Sequence, residues 1–129
     1  TEVLLRSYEE WGIDCVKKFY GMFAFAIWEN KLKRLILARD RVGTKPLFYT
    51  YRENIVSFAS QIQSLLTVSH ISRELDWQAL DTYLSLGYIP SPSSGFVDIK
   101  KLPPGHVAIF DNAKQFNLYS YWSLSYTPK

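Results

Sequence analysis

The chain has 129 residues, the size of one domain, and its 47% hydrophobic content is ordinary for a polypeptide that packs a core. The 15 Lys and Arg stand against 12 acidic residues and are spread along the chain, without the runs that track a phosphate backbone, which argues against a nucleic-acid partner. The lone cysteine, Cys15, excludes an internal disulfide framework and fits a reducing, cytoplasmic setting, and no apolar run approaches the roughly 18 to 20 residues that span a bilayer.

The start, Thr1-Glu2-Val3-Leu4-Leu5-Arg6, lacks the features of a signal peptide and an initiator methionine, an absence that fits processing as well as a start inside a longer protein. From Glu2 to about Phe19, Leu4, Tyr8, Trp11 and Cys15 recur at steps of four, three and four, which predicts a helix with this face turned to the core. Gly12 costs roughly 1 kcal/mol inside a helix, so a bend or a junction of two short helices is expected there.

Gly21 to Glu29 is apolar on both alternating faces, the pattern of a strand buried on two sides. Phe23, Phe25 and Ile27 form one face; Met22, Ala24, Ala26 and Trp28 form the other. A polar break at Glu29 to Lys33 and a second strand at Arg34 to Ala38 complete a hairpin. Two more strands, Leu47 to Tyr51 and Ile55 to Ala59, flank the polar Arg52-Glu53-Asn54 turn.

A short helix is expected after Ser60. A clearer one starts at the N-cap Asp76, carries Trp77, Leu80, Tyr83 and Leu84 on one side, and ends at Gly87. Ile89 to Gly95, rich in Pro and Ser, reads as an ordered, extended connection, and Leu102-Pro103-Pro104-Gly105 as a tight turn. A strand at His106 to Phe110, a polar turn over Asp111 to Gln115 and a last strand near Asn117 to Trp122 close the chain. Helix, strand meander, helices and hairpin in that order predict an α+β domain with antiparallel sheets.

Three stretches carry a family resemblance. The first is Thr1-Glu2-Val3-Leu4-Leu5 followed by Tyr20-Gly21-Met22-Phe23-Ala24-Phe25-Ala26-Ile27-Trp28. The second is Ala38-Arg39-Asp40-Arg41-Val42-Gly43-Thr44-Lys45-Pro46-Leu47-Phe48-Tyr49, then Phe58-Ala59-Ser60, and the third is Leu102-Pro103-Pro104-Gly105-His106 with Tyr121-Trp122. Together, in this order, they resemble the later part of the class II glutamine amidotransferase domain of asparagine synthetases. The resemblance implies part of the four-layer αββα sandwich of N-terminal-nucleophile hydrolases, with residues 1–88 as the later part of that domain. Residues 89–129 would be its end and its connection toward a synthetase domain.

In that family an amino-terminal cysteine attacks the glutamine amide with its own α-amino group as base. The resemblance places this cysteine and the glutamine-holding residues upstream of Thr1. It therefore implies no catalytic, cofactor-binding or metal-binding residue here and an inactive chain, with ATP and Mg in the parent's synthetase domain and glutamine and aspartate as its substrates. Arg39, Asp40, Gly43 and Pro46 are the structural signature: a glycine that permits a turn, a proline that stiffens entry to a strand, and two charges that hold the loop. Gln61 departs from the family's usual glutamate and removes an expected charge.

Other readings of the residues are weaker. Thr1 could act as an N-terminal nucleophile, but its setting resembles an interior helix start. Cys15 shares an apolar helix face and is expected to be buried and inert. His70 and His106 lack partners at ligand spacing. A second function class stays open, a non-catalytic amidotransferase-like interaction module, as does a related enzyme that amidates or cyclises another acid. In either case the missing first half leaves an apolar surface through which the chain would self-associate.

Overall fold

The structure, a computed structural model, describes residues 1–111 and 115–126. The predicted polar turn at Asp111 to Gln115 therefore lies partly outside the described residues. In chain order the elements are α1 (Glu2–Trp11), a 3-10 turn (Gly12–Asp14), α2 (Cys15–Lys18), β1 (Ala24–Glu29), β2 (Arg34–Arg39), β3 (Phe48–Arg52) and β4 (Ile55–Ala59). They continue as α3 (Ile62–Leu65), α4 (Trp77–Leu86), β5 (Lys100–Lys101), β6 (His106–Phe110) and β7 (Phe116–Ser120).

Two antiparallel sheets result, one ordered β1-β2-β6-β7 and the other β4-β3-β5. The period-2 patterns of the strands assign their faces. Ile27, Ile36, Ala38 and Val107 point to one side of the first sheet, where they pack with Cys15 and Val16 of α2 and with Leu4 and Tyr8 of α1. The alternate residues Leu37, Ala108 and Phe110 face the second sheet and pack on Leu47, Tyr49 and Leu102. The outer face of the second sheet, at Phe48 and Ala59, is covered by Leu65 with Ile71 and Ile99. The order is thus helix, sheet, sheet, helix, the four-layer α+β arrangement with antiparallel sheets, in partial form.

Local chemistry explains the joints. Gly12 adopts φ 55 and ends α1, and the chain re-enters a helix at Cys15, so two short helices replace one. The turn between β3 and β4 puts both Glu53 and Asn54 at positive φ, the two-residue geometry whose twist matches the strands. Asp76 caps α4 by accepting from the Ala79 backbone N–H at 3.0 Å, and Gly87 closes the helix in the left-handed region.

Four expectations need correction. Trp11 does not face the core: it is 46% exposed, and the Lys18 ammonium lies over its ring at 4.7 Å. The first strand begins at Ala24, not Gly21, and is covered on one side only. Met22, Ala26 and Trp28 are exposed because β1 is an edge strand and the second sheet reaches this face only at Ala24. The last strand ends at Ser120, since Tyr121 and Trp122 turn their N–H groups to the Gly105 carbonyl. The two-residue β5, too short to leave a periodic pattern, completes the second sheet unannounced.

Candidate functional site

Where β2 leaves the first sheet, the chain folds into a compact knot built on Arg39 and Asp40. Asp40 is fully buried. Its Oδ1 accepts from the Thr44 N–H at 2.9 Å, and its Oδ2 accepts from the N–H groups of Lys45 at 2.9 Å and Phe23 at 3.3 Å. Burial pushes this carboxyl up, but the backbone N–H groups of Lys45, Thr44, Phe23 and Gly43 outweigh it and hold its pKa below the ordinary value. The Asp40 backbone carbonyl accepts from Gly43 and Gly105, which ties in the Pro103–Gly105 turn.

Arg39 extends the knot. Its Nε donates to the Lys45 carbonyl, one terminal nitrogen to the Leu102 carbonyl and the other to the Gly43 carbonyl, each at 2.7 Å. A charged fork satisfying three carbonyls fixes a loop strongly. Gly43 sits at φ 71, and a Cβ there would come within 2.8 Å of Pro104 Cγ and 3.1 Å of Arg39 Cζ. Gly105, at φ 65, is as constrained: a Cβ would meet the Trp122 carbonyl oxygen at 2.5 Å. Pro46 is exposed and leads into the buried Leu47.

The Tyr121 hydroxyl donates to the Arg39 carbonyl at 2.8 Å. Burial, then the Asp40 charge, pushes its pKa up to about 12. The four signature residues and the Leu102–Gly105 and Tyr121–Trp122 motifs, far apart in sequence, thus meet in one place.

The remaining candidates stay apart from the knot. Thr1 is exposed at the start of α1 and makes no side-chain capping bond. Cys15 is 1% exposed, and burial raises its pKa, so the thiolate is disfavoured. His106 Nδ1 lies 2.7 Å from the Pro104 carbonyl, and His70 is exposed. Gln61 is exposed before α3 with no capping bond. Among the described residues no grouping of His, Cys, Asp and Glu could hold a metal ion, and no helix is long and apolar enough to cross a membrane.

Periodicity gave no hint of a second polar cluster. The Tyr8 hydroxyl donates to Glu29 Oε2 at 2.6 Å, Arg34 Nε donates to the same oxygen at 2.6 Å, and a terminal Arg34 nitrogen reaches the Tyr8 hydroxyl at 3.1 Å. The Tyr8 bond lowers the Glu29 pKa, and burial with the Glu29 bond raises that of Tyr8. The cluster pins α1 across the β1-β2 hairpin. Its only sequence signal was Tyr8 on the inner face of α1 and a charge at each end of the hairpin turn.

The sequence that builds this architecture matches a known family. The model of the glutamine amidotransferase domain matches residues 1–122. The chain belongs to that family. The amidotransferase chain is 38% identical over 127 residues to a putative glutamine-hydrolyzing asparagine synthetase 2 of Methanocaldococcus jannaschii, covering 96% of this chain and 25% of that protein. It is 40% identical over 125 residues to the glutamine-hydrolyzing asparagine synthetase 3 of Bacillus subtilis, covering 96% and 20%. With asparagine synthetase 1 of the same organism the identity is 42% over 105 residues, covering 81% and 16%. The amidotransferase chain therefore spans a quarter or less of the length of these relatives.

Proposed function

We propose that this chain is part of the glutaminase portion of a glutamine-hydrolysing asparagine synthetase. In that parent the amide C–N bond of glutamine is broken through a thioester, glutamate and ammonia are released, and the ammonia is used for ATP-dependent amidation of aspartate. The observation that carries this reading is the identity of about 40% to such synthetases, extended over nearly the whole chain. ATP and Mg are assigned to the synthetase domain of that parent, a reading supported by the likeness to asparagine synthetases.

Within the parent, residues 1–88 are the later part of the amidotransferase domain and residues 89–129 its end and connection. The setting is cytoplasmic. Arg39, Asp40, Gly43 and Pro46 act as scaffold, a role supported by the way Asp40 and Arg39 spend their hydrogen bonds on backbone groups.

The chain alone is inactive in this reading: Cys15 is 1% exposed, too buried to attack a substrate. Its incompleteness has a physical correlate: a cleft of about 480 Å³ opens between the sheets, lined by Trp28 of β1, Val56 and Phe58 of β4, and Tyr51 and Phe110. β1 and β4 are both edge strands, so additional strands of the same protein would cover this apolar slot.

The test is release of ammonia and glutamate from glutamine, by this chain and by its full-length parent. Activity confined to the parent is expected. Turnover by the chain itself would overturn the assignment of the nucleophile, and a folded parent without activity would favour an interaction module.

A further inference from the structure

Residues 76–95 form an excursion from the sandwich. Its base is clamped by an isolated antiparallel bridge between Leu75 and Phe96, with the Val97 N–H on the Glu74 carbonyl at 3.0 Å and the Asp76 N–H on the Gly95 carbonyl at 3.0 Å. The excursion carries α4, whose one buried residue is Ala79, beside Ile89 and Pro90 of the return limb. Its other side is apolar yet uncovered: Trp77 is 73% exposed and Leu84 80%, one behind the other at i and i+7, and Tyr88 just beyond the helix is 60% exposed. Asp76, an N-cap, and Gly87, a left-handed stop, define this helix sharply, so the exposed stripe is presented on an ordered element.

We propose that this stripe is the docking face for the polypeptide that follows Tyr126 in the same protein, the further domain of the proposed reading on which this inference rests. The path of the chain selects that occupant. The return limb of the excursion is held by the Lys101 N–H on the Pro92 carbonyl at 2.8 Å and by Lys101 Nζ on the Ile89 carbonyl. The outgoing chain is held by Tyr121 and Trp122 on the Gly105 carbonyl at 2.9 and 3.3 Å. Lys101 and Gly105 are four residues apart, at most about 14 Å along the backbone, so the outgoing chain is held within that reach of the return limb.

Area points the same way. A helix face of ten residues is about 15 Å long and 10 Å wide, far short of the roughly 800 Å² per partner that a stable contact between separate chains requires. A second copy is therefore poorly served by this stripe. A tethered domain is well served, because a short tether supplies an effective concentration in the millimolar range.

The experiment uses the full-length protein bearing Leu84→Cys. The rate of maleimide labelling at residue 84, localised by peptide mass, is compared before and after unfolding in urea, and glutaminase activity is measured on an aliquot withdrawn before maleimide is added. A native rate at least tenfold slower, unchanged on hundredfold dilution, is expected. Equal rates would overturn the docking face, and protection that vanishes on dilution would replace it with a second copy. Loss of glutaminase with protection retained would strike the functional reading and leave the docking face standing. If the variant does not fold, hydroxyl-radical oxidation of Trp77 in the unsubstituted protein, native against unfolded, gives the same decision.

Discussion

Asp40 sits at the exit of β2, and its two oxygens accept three backbone N–H groups from Phe23, Thr44 and Lys45. An asparagine has one oxygen for these donors, so at least one N–H must face an amide NH2. Asp40→Asn should cost roughly 1.5–3 kcal/mol, the range for hydrogen bonds to a charged group, read as a shift of the urea unfolding midpoint. The depressed pKa of Asp40 gives a pH signature. Its stabilisation is present above the unfolded value near 4 and is lost as pH falls through the lower folded value, so acid unfolding should be shallower in the Asp40→Asn protein. Tyr121 titrates in the opposite sense. With a folded pKa of about 12 against an unfolded value near 10, it contributes stability below pH 10 that fades between the two values. Tyr121→Phe should flatten that alkaline loss, measured by urea unfolding from pH 9 to 12. At Gly43, alanine meets both a positive φ and Pro104 Cγ at 2.8 Å; the penalty expected from backbone strain alone is about 1–3 kcal/mol.

At the scale of elements, the helices differ in what holds them. α1 is fixed across the hairpin by Tyr8, Glu29 and Arg34, three partners in one network whose loss should be non-additive. A double-mutant cycle of Tyr8→Phe and Glu29→Gln should return a coupling of roughly 0.5–3 kcal/mol; an additive result would reduce the cluster to separate surface bonds. α4 depends on its ends, and Asp76→Ala should cost about 1 kcal/mol for the lost cap, seen by thermal unfolding. The elements were also the most legible part of the sequence. The short apolar runs of β2 and β6 between turns and the cap at Asp76 announced themselves, because they depend on composition and hydrogen bonding between near neighbours. β5 did not, since two residues have no period and only β3 gives them a partner. Trp11 misled because its helical spacing matched Leu4 and Tyr8, whereas it is the last residue of α1 before the Gly12 stop, and its ring lies under the Lys18 ammonium.

At the scale of the whole molecule, apolar surface left uncovered is the dominant fact. Trp28 and Phe58 line a slot open between the sheets, and Met22 and Tyr20 stand exposed before β1. Water disfavours such surface by roughly 25 cal/mol per Å², so the 129-residue chain studied alone should self-associate. Sedimentation over a tenfold concentration range should show growing mass. A monomer that unfolds in one cooperative step at high concentration would count against it.

The sequence by itself determined six of the seven strands, the ends of α4, the turns at Arg52–Asn54 and Leu102–Gly105 and the family signature, since each depends on the chemistry of neighbouring residues along the chain. It also singled out Arg39, Asp40, Gly43 and Pro46. Only the tertiary structure decided what they do together. The three carbonyls of Arg39 lie at residues 43, 45 and 102, and the Tyr121 hydroxyl returns from 82 positions away to the Arg39 carbonyl. Which faces of β1 and α4 remain bare was likewise beyond the sequence, because an apolar pattern records a tendency to be buried, while the cover depends on how far the facing layer extends.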